Sequence, residues 1–449
     1  MLFVYLVFTL HQIKNRMKKL VFCIALTLTS IVQAQNTVLK TKIAQKAAAL
    51  ENQVIQWRRD FHQNPELGNS EFKTAEKIAS YLKSIGIQVQ TGVAKTGVIG
   101  ILKGGKPGPV VALRADMDAL PVKERVNLPF ASKAEGEYNN QKVAVMHACG
   151  HDTHVAMLMG TATILSGLRK DIKGTVKFIF QPAEEGAPEG EEGGAELMVK
   201  EGVLENPKVD VIFGLHINAQ TEVGKLKYRP KGTMASSDWF KIKVIGKQSH
   251  GATPWQGIDP IVTSSQIILG LQTIVSRNMA LTENAAVVSV GQVNAGIRSN
   301  IIPEELNMSG TIRTLDKKAQ DYIHSRVKQI ATNIAESAGA TAVVDITKKT
   351  LITYNDPQLT EKMLPTLENT AGKDNVILTE AVTGAEDFSF YQAKIPGLFF
   401  FLGGMPKGKK SDEMPSHHTP DFYIDESGFV LGMKTMANLT VDYMEIGSK

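Results

Sequence analysis

Val110-Val111-Ala112-Leu113-Arg114-Ala115-Asp116-Met117-Asp118 sets a short apolar run directly against an arginine and two aspartates. A run of that length with no polar alternation reads as a strand buried on both faces. Residues 98–102, 176–180, 209–213 and 398–402 repeat the pattern, each bounded by turn residues. Helical stretches at 154–168 and 195–201 lie between them, so the expected fold is α/β, a layered catalytic domain around a mostly parallel central sheet. Ahead of the first run, residues 41–86 read as two helical segments. Ile55, Trp57 and Phe61 mark the first, Ala75, Ile78 and Leu82 the second, and Pro65 and Gly68 punctuate them.

The residues just past these runs carry the chemistry. After 110–113 come Asp116 and Asp118; after 176–180 comes Gln181-Pro182-Ala183-Glu184-Glu185-Gly186; after 209–213 comes Gly214-Leu215-His216. Open α/β sheets place ligand sites at the carboxyl ends of their strands. His147-Ala148-Cys149-Gly150-His151-Asp152-Thr153-His154 packs thiol and imidazole into one turn, where Gly150 lets Cys149 and His151 face one ion or ion pair. Further ligands are expected from Glu184 or Glu185, His216, and His418 in Ser416-His417-His418-Thr419-Pro420-Asp421-Phe422. Thiolate, imidazole and carboxylate together suit zinc, manganese, cobalt or nickel rather than calcium or magnesium alone. Glu184 and Glu185 should diverge, one ligating and the other serving as a base. That division fits metal-assisted hydrolysis, in which an ion acidifies water and polarises a carbonyl while a carboxylate carries the proton. His147 and His154 read as supporting residues, His417 as a competitor of His418, and His62 and His324 as packing or surface histidines.

A different rhythm runs between about Tyr228 and Asp345. Strand 239–244, helix 260–277, strands 286–293 and 305–314, helix 318–338 and strand 342–346 give the β-α-β-β-α-β order of a ferredoxin-like unit. The expected organisation is a leader over 1–34, a catalytic domain over 35–228 and 347–449, and an insertion over 229–346.

Met17-Lys18-Lys19, the apolar stretch 20–32 and Gln33-Ala34 have the form of a secretory signal, with translation expected to start at Met17 and cleavage after Ala34. Neither apolar run near the start has the roughly 20 residues of a membrane span. Removal of the leader takes Lys14, Arg16, Lys18 and Lys19 and no acid, so the net charge falls from +5 to +1. No basic tract remains to suggest nucleic acid, so a small-molecule substrate and a secreted or periplasmic location, free of the membrane, are expected. Cys23 leaves with the leader and Cys149 has no disulfide partner, so metal ligation is the natural protection for its thiol.

The ordered set Asp116-Met117-Asp118-Ala119-Leu120-Pro121, His147 to Asp152, Gln181 to Gly186, Gly214-Leu215-His216, Ser249-His250-Gly251-Ala252, Gly384-Ala385-Glu386-Asp387-Phe388 and His418 to Phe422 covers nearly the whole mature chain. It resembles the dinuclear metallo-amidohydrolases that include hippurate hydrolase, N-acyl-amino-acid aminoacylases and hydrolases of indole-acetyl amino acids, in the branch with a cysteine ligand. The resemblance implies two divalent transition metal ions held by Cys149, His151, Glu185, His216 and His418, with Glu184 as acid/base. It implies that Asp118 orients a ligand histidine and that His250 reaches into a partner subunit's site to stabilise an oxyanion. Asn300 and Arg313 would hold a substrate carboxylate, and a homodimer would form through the inserted lid domain. The implied activity is cleavage of the amide of an N-acyl amino acid. A carboxypeptidase or dipeptidase on the same site is the alternative, while a non-catalytic binding module is opposed by the presence of Glu184 and every expected ligand. The longer stretch from Gly186 to Gly194 departs from the pattern.

Overall fold

The apolar runs all become strands, because each can hide both of its faces. The computed structural model of the chain describes residues 37–282 and 285–447; Met17, Cys23 and the expected cut after Ala34 lie outside the described residues. Strands β1 (Gln88–Val93), β2 (Gly97–Lys103), β3 (Lys106–Asp116), β4 (Lys173–Gln181), β5 (Val211–Glu222), β6 (Leu226–Tyr228), β7 (Val376–Leu378) and β8 (Gly397–Met405) form one sheet in the order β1-β2-β4-β3-β5-β8-β6-β7. Its centre, β4-β3-β5-β8, is parallel. The β1–β2 hairpin adds antiparallel at one side and β6 antiparallel at the other.

Period-two alternation divides each strand between two cores. Val111 and Leu113 of β3 pack with helices α1 (Glu51–Gln63), α2 (Phe72–Ser84) and α3 (His151–Ser166), and with a helix over Phe429–Ile446. Ala112 points the other way, into a core with Met198, Phe388 and Tyr391. Each fully buried Leu, Val or Phe contributes about 1.5–3 kcal/mol relative to exposure, so these runs have no better alternative than the centre of a covered sheet.

Two boundaries differ from the expectation in ways that position the site. The run expected to end at Phe213 continues as β5 to Glu222, because β8 pairs along it, with Phe401 opposite His216. His216 therefore projects from within a strand rather than from beyond its end. Helix α3 starts at His151, three residues before the expected 154, since Gly150 turns the chain at φ +96°.

A second sheet holds strands Ala286–Ala295, Glu305–Thr314, Ser237–Ile245 and Thr341–Thr350, in that order and antiparallel throughout. Helices Pro260–Thr273 and Lys317–Ser337 supply its core, Ile267, Leu271 and Val327 meeting Phe240 and Ile242. Numbered along the insert, the strand order is 2-3-1-4, the arrangement of the split βαβ unit. The last strand runs to Thr350, past the expected 346, and the first helix gives way at Ile274 to a π-helical turn ending at Asn278, short of a continuous helix to 277. No helix among the described residues is long and apolar enough to cross a membrane.

Candidate metal centre and active site

Gly150 is the local reason the site exists. Its positive φ is one that residues with a side chain rarely adopt, and a Cβ there would lie 2.3 Å from the Cγ2 of Ile217. The turn it makes places Cys149 just before α3 and His151 at its first position, both buried. After β4, Ala183 takes φ +49° and sends Glu184 and Glu185 to the same cluster; His418, at φ +64°, is pinned there by its N–H donating to Ala148 O at 2.8 Å. Left-handed backbone at residues other than glycine persists only where the surroundings enforce it.

The side chains converge. Cys149 Sγ lies 3.3 Å from His216 Nε2 and 3.2 Å from His418 Nε2, and His418 Nε2 lies 3.0 Å from Glu185 Oε1. His151 Nε2 is 3.8 Å from Glu184 Oε2 and 3.9 Å from Glu185 Oε1. Ligand atoms of Cys149, Glu185 and His418, and of His151, Glu184 and Glu185, form two groups within metal-binding reach that share Glu185. Asp118 supports both: its carbonyl and carboxylate oxygens lie 3.0 and 3.2 Å from His151 Nδ1, and its other oxygen accepts from the Glu185 N–H at 3.0 Å.

The donors fit a metal on their own geometry. His151 Nε2 is a buried atom with no hydrogen-bond partner, and it faces the cluster; buried polar atoms are normally satisfied. Burial, with Glu185 and Glu184 beside it, pushes the Cys149 thiol well above its usual range. Burial, then Glu386 and Glu185, holds the Glu184 carboxyl far above the usual carboxylate range. Burial disfavours a charged His151, yet Asp116 and Asp118 outweigh it and push the imidazole up to about 10. Each shift reports too little positive charge among the protein groups, which a divalent cation reverses while releasing the thiol proton.

The cluster lies on the wall of a cavity of about 740 Å³ lined by Cys149, Glu184, His216, Lys227, Arg313 and His418, among others. Arg313 arrives from the inserted sheet. His250 and Asn300 do not line this cavity: both are exposed on the insert, where Gly251 N donates to Asn300 O at 2.8 Å. Within one chain Asn300 therefore lies away from the cavity that Arg313 lines.

Residues 112–442 match the family described as Peptidase family M20/M25/M40. The chain belongs to that family. It is 39% identical over 404 residues to Thermostable carboxypeptidase 2 of Saccharolobus solfataricus, covering 90% of this chain and 98% of the relative. It is 39% identical to the N-acetylcysteine deacetylase of Bacillus subtilis, over 88% of this chain and 98% of that one. The crystal structure of the Bacillus subtilis YXEP protein, a dinuclear metal binding peptidase from the M20 family, superposes with a TM-score of 0.75 at 37% identity, over 89% and 99% of the two chains. Membership makes the chain a metal-dependent amide hydrolase of the M20/M25/M40 family.

Within this M20-family fold, a network to which residue type and spacing assign no role lies beside Glu184. Buried Arg114 contacts Asp116 Oδ2 at 2.7 Å and Glu386 Oε1 and Asp387 Oδ1 at 2.9 Å, and donates to Gln181 Oε1 at 2.8 Å. Asp387 N–H in turn points at Glu184 Oε1, 3.4 Å away. Asp116 also meets His154 Nδ1 at 2.5 Å, and His154 Nε2 accepts from the Ile217 N–H at 2.8 Å, fixing the strand beside His216. The signal was available in the paired motifs Arg114-Ala115-Asp116 and Gly384-Ala385-Glu386-Asp387, each charged residue sitting beside an apolar run. His417 is held by accepting from Ala219 N at 3.1 Å, with Nδ1 3.8 Å from Cys149 Sγ, so His418 is the one that reaches both Cys149 and Glu185. His62 is no surface histidine: it is buried between Asp152 at 2.8 Å and Glu124 at 3.2 Å.

Proposed function

We propose that the enzyme cleaves the amide of N-acyl amino acids, releasing a carboxylic acid and an amine. The observation that carries this is Glu184, half-buried beside a thiol, imidazole and carboxylate cluster on the wall of a cavity that Arg313 also lines. Cys149, His151, Glu185, His216 and His418 would hold two divalent ions of zinc, manganese, cobalt or nickel, which when bound acidify a water and polarise the scissile carbonyl. Glu184 takes the proton of that water and returns it to the leaving nitrogen. Asp118 holds His151 by its Nδ1 and the Glu185 backbone, keeping the His151 Nε2 aimed at the cluster. Arg313 offers a planar fork for the substrate carboxylate. His250 and Asn300, exposed on the insert, would complete the site of a second copy of the chain in a homodimer. Export by the leader over 1–34 is part of the same reading, and N-terminal sequencing of the protein recovered outside the cytoplasm tests it.

Cleavage of a peptide C-terminal residue is the second reading, favoured by the likeness to a carboxypeptidase. Products decide: a panel of N-acyl amino acids and dipeptides, assayed with elemental analysis before and after chelation, should show chelator-sensitive turnover with preference for the acylated compounds. Glu184→Gln should keep its metal and lose about 10²–10⁴-fold in turnover. Activity like that of the wild type in this variant sinks the role of Glu184.

A further inference from the structure

The cavity holds a second cation that the proposed chemistry leaves unused. Lys227 lies on β6, in register with Phe401 of β8, which is itself in register with His216 of β5. Residues directly opposite one another on neighbouring strands share a face, so Lys227 stands two strand spacings, roughly 10 Å of backbone, from His216 on the cavity side. All three line the cavity with Glu184. Lys227 is half-buried and its ammonium makes no hydrogen bond or ion pair with any described residue; its one charged neighbour of note, Lys225, repels it. An ammonium withdrawn from water without a partner is destabilising, and an anion arriving there relieves that cost.

The negative groups of the cavity give Lys227 nothing to pair with. Glu184, Glu185 and Glu386 are committed to the metal cluster and the Arg114 network. Arg313 enters from the inserted sheet, on a different part of the chain. A substrate with one carboxylate on Arg313 therefore leaves Lys227 unmatched, and a substrate with two can satisfy both.

We propose that Lys227 is a specificity-determining residue that binds a second carboxylate, so that the preferred substrates are dianionic N-acyl amino acids. This rests on the amide-hydrolase reading with Arg313 at the first carboxylate. The second carboxylate has two chemical sources, the side chain of an acidic amino acid or the free end of a dicarboxylic acyl group.

The test compares N-acetyl-glutamate, N-succinyl-alanine and N-acetyl-alanine on the metal-loaded enzyme, its Lys227→Met variant and a Lys225→Met control. Steady-state kinetics is paired with calorimetric binding of the same compounds to Glu184→Gln protein with and without Lys227→Met. Lys227→Met should raise KM and weaken binding for a dianion about tenfold to hundredfold more than for N-acetyl-alanine, the size of a charge-assisted hydrogen bond; Lys225→Met should not. A loss confined to N-acetyl-glutamate assigns the second carboxylate to the amino acid, and one confined to N-succinyl-alanine assigns it to the acyl group. Equal losses for mono- and dianions, or none, overturn the inference while leaving the amide-hydrolase reading intact. Absence of turnover on all three compounds fails that reading instead, and calorimetry still decides the role of Lys227: dianions that bind no tighter than N-acetyl-alanine, or equally with and without Lys227→Met, overturn it.

Discussion

Two acid-rich clusters adjoin Glu184, and they differ in where their positive charge comes from. In the first, Asp116, Glu386 and Asp387 surround Arg114, a cation the chain supplies itself. In the second, Cys149 and Glu185 meet histidines and no arginine or lysine: His216, His417 and His418 stand around Cys149, and His151 and His418 beside Glu185. Asp116, against Arg114 and His151, is held well below the usual carboxylate range despite its burial. Cys149, with no such cation, is pushed in the opposite direction. Burial still raises Glu386, and Asp387 to about 8, because one guanidinium serves three carboxylates; the lesson is that one cluster carries a cation of its own, enough to hold Asp116 charged, while the other takes its cation from solution. The first can shape the floor of the site before any metal binds, and the second makes activity conditional on metal.

The largest expected effect comes from breaking the cluster that carries its own cation. Arg114→Met leaves three buried carboxylates without their cation and should destabilise the protein by about 3–5 kcal/mol, read from urea denaturation. Chelation should leave that cluster folded but lower stability through loss of binding, and should expose the Cys149 thiol to alkylation. A thiol that reacts equally fast before and after chelation counts against ligation by Cys149.

A smaller effect sharpens the border of the second cluster. Asp118→Asn keeps the shape but weakens the hold on His151 and should lower metal affinity about 10–100-fold, measured by competition with a chromophoric chelator. Unchanged affinity would mean that the His151 orientation is set by α3 alone.

The smallest effect separates two neighbouring histidines. His417→Ala removes two hydrogen bonds, one accepted from the Ala219 N–H and one donated to the Cys149 carbonyl, costing about 1–2 kcal/mol of stability, and should retain the metal stoichiometry. His418→Ala should reduce that stoichiometry. Retained metal in His418→Ala together with loss in His417→Ala would reverse the two assignments.

The contrast also explains what was legible in the chain. Metal-type donors announce themselves by residue type and spacing, so Cys149, His151, the Glu184–Glu185 pair, His216 and His418 could be gathered as candidates from four separate stretches, while the choice of Glu185 came from the family resemblance. Arg114, Glu386 and Asp387 could not be assigned in the same way. A charged residue beside a strand is ordinarily solvated, and only the crossing of β3 with the loop after Gly384 buries these three together. His62, read as a packing or surface histidine, proves to be a packing one for the same reason, since Asp152 and Glu124 reach it from distant parts of the sequence.

Sequence by itself determined the layered α/β class, the strand cores, the β-α-β-β-α-β insert and the candidate donors, because hydrophobic periodicity and ligand chemistry are local properties. Tertiary structure alone decided that His216 stands within β5, that Asp118 braces His151 and Glu185 at once, and that Lys227 shares the cavity of Glu184 while His250 and Asn300 do not. Those outcomes depend on strand register and on which distant segments cross. Both are set by burying the whole chain at once, and no single stretch contains them.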